Sequence, residues 1–467
     1  MDLTRREVLT WSALGTGAVV LGNMGSLLAA SPAAAASPRI GAPVLDPAGI
    51  LDLPSGFSYQ IVSRAGDPLP GGGLTPGRHD GTASFDGPHG GVRLVQNHEI
   101  GTSDPFPALA AAEFTYDPKA KGGTTTLTLD NHLNRVDEYV SLAGTFSNCA
   151  GGLTPWGTWL TCEETETKAG PTTDRDHGFV FEVDPQSASN NVSPTPLTAL
   201  GRFAHESVAI DPDRGDLYLT EDASAPNGLV YRFTPNDLSQ TYGALRNGGT
   251  LAAMSCSLRG SHVTDLSVFS APGTTLDVTW TPVAEPQAQT QSIRKQFDNS
   301  QVTRSRKFEG TWWGDATGNG NGKGSGSGHG RGDRKAEKAH IVCSFARITD
   351  GSLAEHDGQV WGYDPDDQTL TLELYLPLNP DPASDIPDGP DNICVSPYGG
   401  FFLAEDGVGV QHLLAVDPTG QATLFARNRL SSSEFTGVNF DPGGKVLFAN
   451  IQDEGICFGI TGPFNKL

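Results

Sequence analysis

Ser207-Val208-Ala209-Ile210-Asp211-Pro212-Asp213-Arg214-Gly215-Asp216-Leu217-Tyr218-Leu219-Thr220-Glu221-Asp222 reads as a β-hairpin. An apolar run leads into a turn rich in Asp, Pro and Gly, and a second apolar run ends in two acids. Residues 392–406 repeat it, from Asn392-Ile393-Cys394 through Pro397 to Leu403-Ala404-Glu405-Asp406, and residues 437–450 repeat it again around Asp441-Pro442-Gly443-Gly444. The stretches 90–99, ending Asn97-His98-Glu99, and 156–164, ending Cys162-Glu163-Glu164, look like its second half. Other strand pairs lie between, at 178–185, 228–233 and 359–365. The acidic strand ends recur every roughly 45–65 residues, with one longer gap, which is the spacing of four-stranded propeller blades. The expected fold is all-β: a β-propeller of about six blades with loop insertions. A pair of β-sandwiches would leave unexplained why acids recur at one point of each unit.

Composition agrees. With 58 glycines and 33 prolines in 467 residues, turn chemistry dominates, which argues against a helical bundle. A hydrophobic share of 37% and a charged share of 18% exclude wholesale disorder. The net charge of −23 repels nucleic acid and anionic lipid. Such a charge either keeps the surface soluble or supplies cation ligands, and the positions of the acids decide between the two.

Residues 1–36 read as an address. Thr4-Arg5-Arg6-Glu7-Val8-Leu9 is a twin-arginine pattern, an apolar Gly/Ala-rich stretch follows, and 31–36 suit signal-peptidase cleavage. The expectation is a periplasmic or secreted protein without a stable membrane anchor, acting as a monomer, with one propeller domain over 37–467. Residues 317–332, Gly-rich throughout, read as a flexible insertion. The six widely spaced cysteines show no CxxC and leave pairing open.

In a propeller the innermost strands line a central channel, so acids at equivalent points converge on one end of it. Packed carboxylates repel one another unless cations neutralise them. The repeat therefore predicts a site for several metal ions. The candidate ligands are Asn97, Glu99, Glu163, Glu164, Glu206, Glu221, Asp222, Glu309, Asp391, Asn392, Glu405, Asp406 and Glu434. Oxygen donors in this number suit calcium, whereas the eleven scattered histidines show no zinc spacing. Cys149, in Ser147-Asn148-Cys149-Ala150-Gly151-Gly152, is either a buried structural cysteine or a soft ligand for a transition metal.

The stretch 148–164, Asn148-Cys149-Ala150-Gly151-Gly152-Leu153-Thr154-Pro155-Trp156-Gly157-Thr158-Trp159-Leu160-Thr161-Cys162-Glu163-Glu164, resembles the signature of the PhoX-type alkaline phosphatases. Gly201-Arg202-Phe203-Ala204-His205-Glu206, the 436–444 stretch and Asn450-Ile451-Gln452 are similar to that family as well, as is the twin-arginine leader. The resemblance runs from about residue 75 to the C-terminus. It implies a six-bladed propeller whose axial cluster of iron (Fe3+) and calcium (Ca2+) hydrolyses small phosphate monoesters, with a metal-bridging oxygen as nucleophile. It makes Cys149 the iron ligand and Glu164, Glu206 and Glu309 the shared carboxylates. Glu163, Asp222, Asp391, Asn392, Glu405 and Glu434 are further ligands not assigned to particular ions. Larger members read Arg-Pro-Glu where this chain has Lys307-Phe308-Glu309, so Lys307 becomes the candidate phosphate clamp, flanked by Arg304 and Arg306. Lysine offers a point charge in place of a bidentate fork. The competing expectations are a calcium-dependent propeller hydrolase of phytate, a phosphodiester or a lactone, and a non-catalytic calcium-stabilised binding propeller.

Overall fold

In the computed structural model, which describes residues 41–318, 337–344, 356–381 and 383–467, the quoted hairpin forms from strands His205–Ile210 and Leu217–Glu221. Val208 pairs with Leu219 and Ile210 with Leu217. The Asp211 carboxylate closes the turn by accepting from the backbone N–H groups of Asp213 and Arg214 at 2.8 and 3.0 Å. Gly215 completes it at a φ of 75°, a left-handed conformation that costs glycine little. Asp441 and Gly444 close the last hairpin in the same way. The leader expected at 1–36 and residues 319–332 of the Gly-rich segment lie outside the described residues.

Among the described residues the elements are strands and short 3-10 turns, and no helix is long and apolar enough to cross a membrane. Six strands stand side by side in a closed ring: His79–Asp86, Asn148–Leu153, His205–Ile210, Phe308–Asp315, Pro390–Val395 and Phe435–Phe440. Each neighbours the next, and the last neighbours the first. An early strand, Ser58–Arg64, completes the last sheet by pairing with Ile456–Thr461, while the strands before it, Pro43–Val44 and Leu51–Pro54, extend the sheet of Pro390–Val395.

The arrangement is propeller-like, but the expected six separate blades are not what the hydrogen bonds define. Among the described residues there are five sheets, of six, three, ten, four and four strands. The ten-stranded sheet carries both the His205–Ile210 and the Phe308–Asp315 units. Its joint is strand Thr275–Pro282, which pairs on one side with Gly249–Leu258 and on the other with Thr369–Pro377. Two outer edges that would each expose unpaired N–H and C=O groups are thereby satisfied by one strand.

Side-chain alternation packs the sheets. In Thr369–Pro377, Leu370, Leu372, Leu374 and Leu376 are buried while the intervening residues are partly exposed. Leu370 and Leu372 enter one core with Trp361 and Tyr363, and Leu374 and Leu376 enter the next with Ile393 and Phe401. The inner strands are buried on both faces, so they carry no such alternation. All six cysteines are buried free thiols.

Candidate metal centre

All six inner strands slip register near their start. The shifts fall between His79 and Thr82, Asn148 and Gly151, His205 and Val208, Phe308 and Thr311, Pro390 and Ile393, and Thr436 and Asn439. A bulge leaves residues out of the ladder and re-aims their side chains. The second residues of the first five strands are Asp80, Cys149, Glu206, Glu309 and Asp391; the sixth strand offers Thr436, whose hydroxyl donates to the His79 carbonyl at 2.8 Å.

The next residue in each strand is small or neutral: Gly81, Ala150, Ser207, Gly310, Asn392 and Gly437. A Cβ on Gly81 would lie 2.6 Å from the Ala150 Cα, and one on Gly310 2.7 Å from the Asp391 carbonyl oxygen. Backbones that approach this closely need glycine, and the approach draws the preceding side chains together on the axis.

Ligand-type atoms lie within 4.8 Å of one another in three groups: Cys149, Glu164 and Glu206; Glu206, Glu309 and Asp391; and Asp391, Asp406 and Glu434. Glu206 and Asp391 each belong to two groups, so the three form one cluster. The Cys149 Sγ is 3.2 Å from Glu206 Oε1 and 4.0 Å from Asp80 Oδ1. Gln452 Nε2 donates to Asp80 Oδ2 at 2.7 Å and to Glu99 Oε2 at 3.0 Å, which ties two more carboxylates to the rim.

Burial, then repulsion from neighbouring carboxylates, pushes Asp80, Glu164, Glu206, Glu309, Asp391 and Glu434 well above the usual carboxylate range. The Cys149 thiol is pushed up in the same way, by burial and by Asp80 and Glu206. Lys307 opposes them: its Nζ is 2.8 Å from Glu309, 3.7 Å from Asp222 and 3.8 Å from Asp406. Burial alone would lower the Lys307 ammonium, but Glu309, Asp222 and Asp391 overcome it and hold the charge. On another part of the rim Arg78 meets Glu99, Gln452 and Asp453.

One ammonium cannot neutralise this many anions, so protons or bound cations must. The donor set is oxygen-rich with a single sulfur, which fits several hard cations and one thiophilic metal. Among the described residues no histidine joins these groups: His79, His98 and His205 bond the backbone carbonyls of Pro76, Gly77 and Gly201, and burial keeps all three neutral.

Of the residues expected from sequence, Cys149, Glu164, Glu206, Glu309, Asp391 and Glu434 come together, and Lys307 with Asp222 stands beside them. Asn392 lies next to the cluster, its Nδ2 on Asp391 Oδ1 at 3.0 Å and its Oδ1 accepting from the Gly437 N–H at 2.7 Å. Glu163 and Glu405 are turned into their own sheets, bonded to His177 and His412. Asn97 braces the Cys149 and Ala150 carbonyls. Arg304 is not a free clamp: its guanidinium donates to Asn299 Oδ1 and to the carbonyls of Asn227 and Arg294, because a buried guanidinium takes whatever acceptors enclose it. Arg306 is half-buried just ahead of Lys307. Asp80 was not anticipated. Its signal was the acid before Gly81, at the same step as Glu309 before Gly310.

The profile of the family described as Alkaline phosphatase PhoX matches residues 39–455. No curated protein matches the chain in sequence. Among solved structures, Pseudomonas fluorescens PhoX in complex with vanadate, a transition state analogue, is similar at a TM-score of 0.64 and 17% identity, over 91% of this chain and 98% of that one. A gluconolactonase from Xanthomonas campestris, XC5397, aligns at a TM-score of 0.41 and 11% identity, over 91% and 98% of the two chains. The first likeness is one of fold, and the profile spans nearly the whole chain: the protein belongs to the PhoX alkaline phosphatase family of metal-dependent phosphatases.

Proposed function

We propose that the chain is an exported, monomeric phosphatase that hydrolyses phosphate monoesters of small molecules at an iron and calcium centre on the propeller axis. The leader over 1–36 would direct twin-arginine export, and 37–467 would form one propeller. In this reading the ten-stranded sheet counts as two blades fused through Thr275–Pro282, giving six units around the axis. The observation that carries the reading is the convergence of Asp80, Cys149, Glu206, Glu309 and Asp391 from the same step of five successive inner strands.

Cys149 with Glu164 and Glu206 would hold iron, and Glu206, Glu309, Asp391, Asp406 and Glu434 would hold calcium. When bound, these cations supply Lewis-acid polarisation of the phosphoryl oxygens and activation of water. The residues of the chain do the rest. Lys307 is partly exposed at the mouth and held by three carboxylates, so its ammonium is already oriented when a phosphate arrives. It donates to a phosphoryl oxygen while Glu309 keeps it charged. Arg78 adds a second fixed positive charge at the rim. The carboxylate ring itself repels a phosphate dianion, so binding requires the ring to be neutralised first.

The test is the purified protein, prepared without chelator, assayed for metals and for p-nitrophenyl phosphate hydrolysis. Cys149→Ala is expected to lose iron and turnover together. Full activity and unchanged iron in that variant would sink the proposed centre.

A further inference from the structure

Three hairpins end in adjacent acids: Glu163-Glu164, Glu221-Asp222 and Glu405-Asp406. The first of each pair lies directly opposite the first residue of its inner strand, Asn148, His205 or Pro390. All three are fully buried. Glu163 Oε1 accepts from His177 Nδ1 at 2.6 Å and the Phe146 N–H at 2.9 Å, and its Oε2 from the Gly178 and Phe179 N–H groups at 2.8 and 3.1 Å. Glu221 accepts from Arg294 at 2.9 Å and from the Tyr231 hydroxyl at 2.7 Å, one on each oxygen. Glu405 Oε2 accepts from His412 Nδ1 and its backbone N–H, both at 2.8 Å, and Oε1 from the Asp388 N–H at 3.0 Å. Every oxygen of the three carboxylates is therefore engaged within its own part of the fold.

The second acid of each pair faces the other way. Glu164 meets Cys149 and Glu206, Asp406 meets Asp391 and Glu434, and Asp222 meets Lys307. Successive side chains of a strand point to opposite faces, so locking the first acid sets the direction of the second. We propose that Glu163, Glu221 and Glu405 are positioning residues, each locked by a buried base or hydroxyl, which aim Glu164, Asp222 and Asp406 at the axial centre. The reason is electrostatic: an unrestrained carboxylate at a strand end would swing away from its like-charged neighbours, and the lock prevents that before a cation arrives. The first unit uses an uncharged version, His98 held by Gly77 and Thr125 ahead of Glu99.

The inference rests on the metal-centre reading, so its test measures wild-type metal first. Calcium affinity of the full-length protein is read by chelator competition, with thermal stability recorded with and without calcium. Glu405→Gln and His412→Leu are each expected to weaken calcium binding about tenfold, as loss of an outer partner does. Their combination is expected to cost about as much as either alone, because both break one lock. His412→Asn, whose amide nitrogen can replace Nδ1, is expected to restore binding, and saturating calcium to restore turnover in all of them. Tyr231→Phe removes one hydroxyl without leaving a hole and guards against variants that misfold; because the acid this lock aims, Asp222, meets Lys307, it is expected to raise KM for p-nitrophenyl phosphate about threefold and to leave calcium affinity unchanged. Calcium binding unchanged in Glu405→Gln and in His412→Leu, with only stability lowered, would overturn the inference. So would loss of a calcium ion in Glu405→Gln with His412→Leu unaffected, since Glu405 would then be a ligand. A wild-type protein without calcium or iron would instead sink the metal-centre reading, and the inference with it.

Discussion

Stripping the metals should make the protein lose stability as pH rises. Burial and mutual repulsion raise Asp80, Glu164, Glu206, Glu309, Asp391 and Glu434, so the folded metal-free protein keeps protons that the unfolded chain gives up. Stability from such a group is fully present below the unfolded carboxylate pKa and falls as pH rises toward the folded one. The buried neutral histidines His79, His98 and His205 act oppositely, but only below about pH 6.5, where the unfolded chain takes up protons. His177 and His340, raised by their carboxylate partners against the effect of burial, contribute to both forms, since neither histidine is in the cluster. Glu221 and Glu405, raised to about 7 by burial, also lose protons there, but they lie outside the cluster and contribute to both forms, so the difference between the forms is read over the window of about pH 6.5 to 8. Each proton still held across it costs about 1.4 kcal/mol per pH unit, or about 2 kcal/mol in all. An unfolding entropy of about 2.1 cal/mol/K per residue over roughly 430 residues converts that to about 2 °C per proton. With cations bound the carboxylates are ionised throughout and this slope disappears. Calorimetry of the holo and chelated forms should show a Tm gap that widens by at least about 2 °C from pH 6.5 to 8. A gap that stays constant or narrows would refute the claim that protons stand in for cations in the cluster.

Other perturbations test separate parts of the site. Lys307→Ala should raise KM for p-nitrophenyl phosphate about tenfold or more, the worth of one charge-assisted bond, while Lys307→Arg should keep KM within about threefold in steady-state assays. Asp80→Asn keeps the shape and the Gln452 contact but removes a charge 4.0 Å from Cys149, so metal content by elemental analysis should fall along with turnover. Gly81→Ala forces a Cβ to 2.6 Å from the Ala150 Cα and 2.8 Å from the Cys149 carbonyl, both backbone, and should cost about 1–3 kcal/mol in denaturant unfolding. Gly71→Ala, where nothing lies within 4 Å, is the control and should leave stability unchanged.

The hairpin signal was legible because it depends on local chemistry: Asp211 and Gly215 close the turn whatever surrounds them. The joint at Thr275–Pro282 was not, since its role depends on two edges far apart in sequence, Gly249–Leu258 and Thr369–Pro377. Asp80 escaped for a related reason. The first unit announces itself in its second strand, at Asn97-His98-Glu99, while the inner strand that carries Asp80 has Gly81-Thr82 where the most legible copies have Ser207-Val208 and Asn392-Ile393. Arg304 sat close enough to Lys307 in sequence to be grouped with it, yet it is the backbone of Asn227 and Arg294 that claims its guanidinium.

The acidic pairs show what kind of information decides a ligand. Composition treats Glu163 and Glu164 as equals, and so does the repeat, because both recur in register with Glu405-Asp406. What separates them is parity: the residue paired across from the inner strand's first position points into the sheet, and the one after it points to the axis. The inner strand obeys the same parity until its bulge, which holds Cys149, Glu206 and Asp391 on the axial side. A one-residue slip in either strand would exchange donor for lock. An insertion that shifts the Glu405 pairing would therefore turn Glu405 outward to the axis and bury Asp406 against His412, where the shorter aspartate reaches less far. The spacing from turn glycine to acidic pair that these hairpins share, Gly157 to Glu163, Gly215 to Glu221 and Gly399 to Glu405, is thus as much a part of the site as the acids themselves.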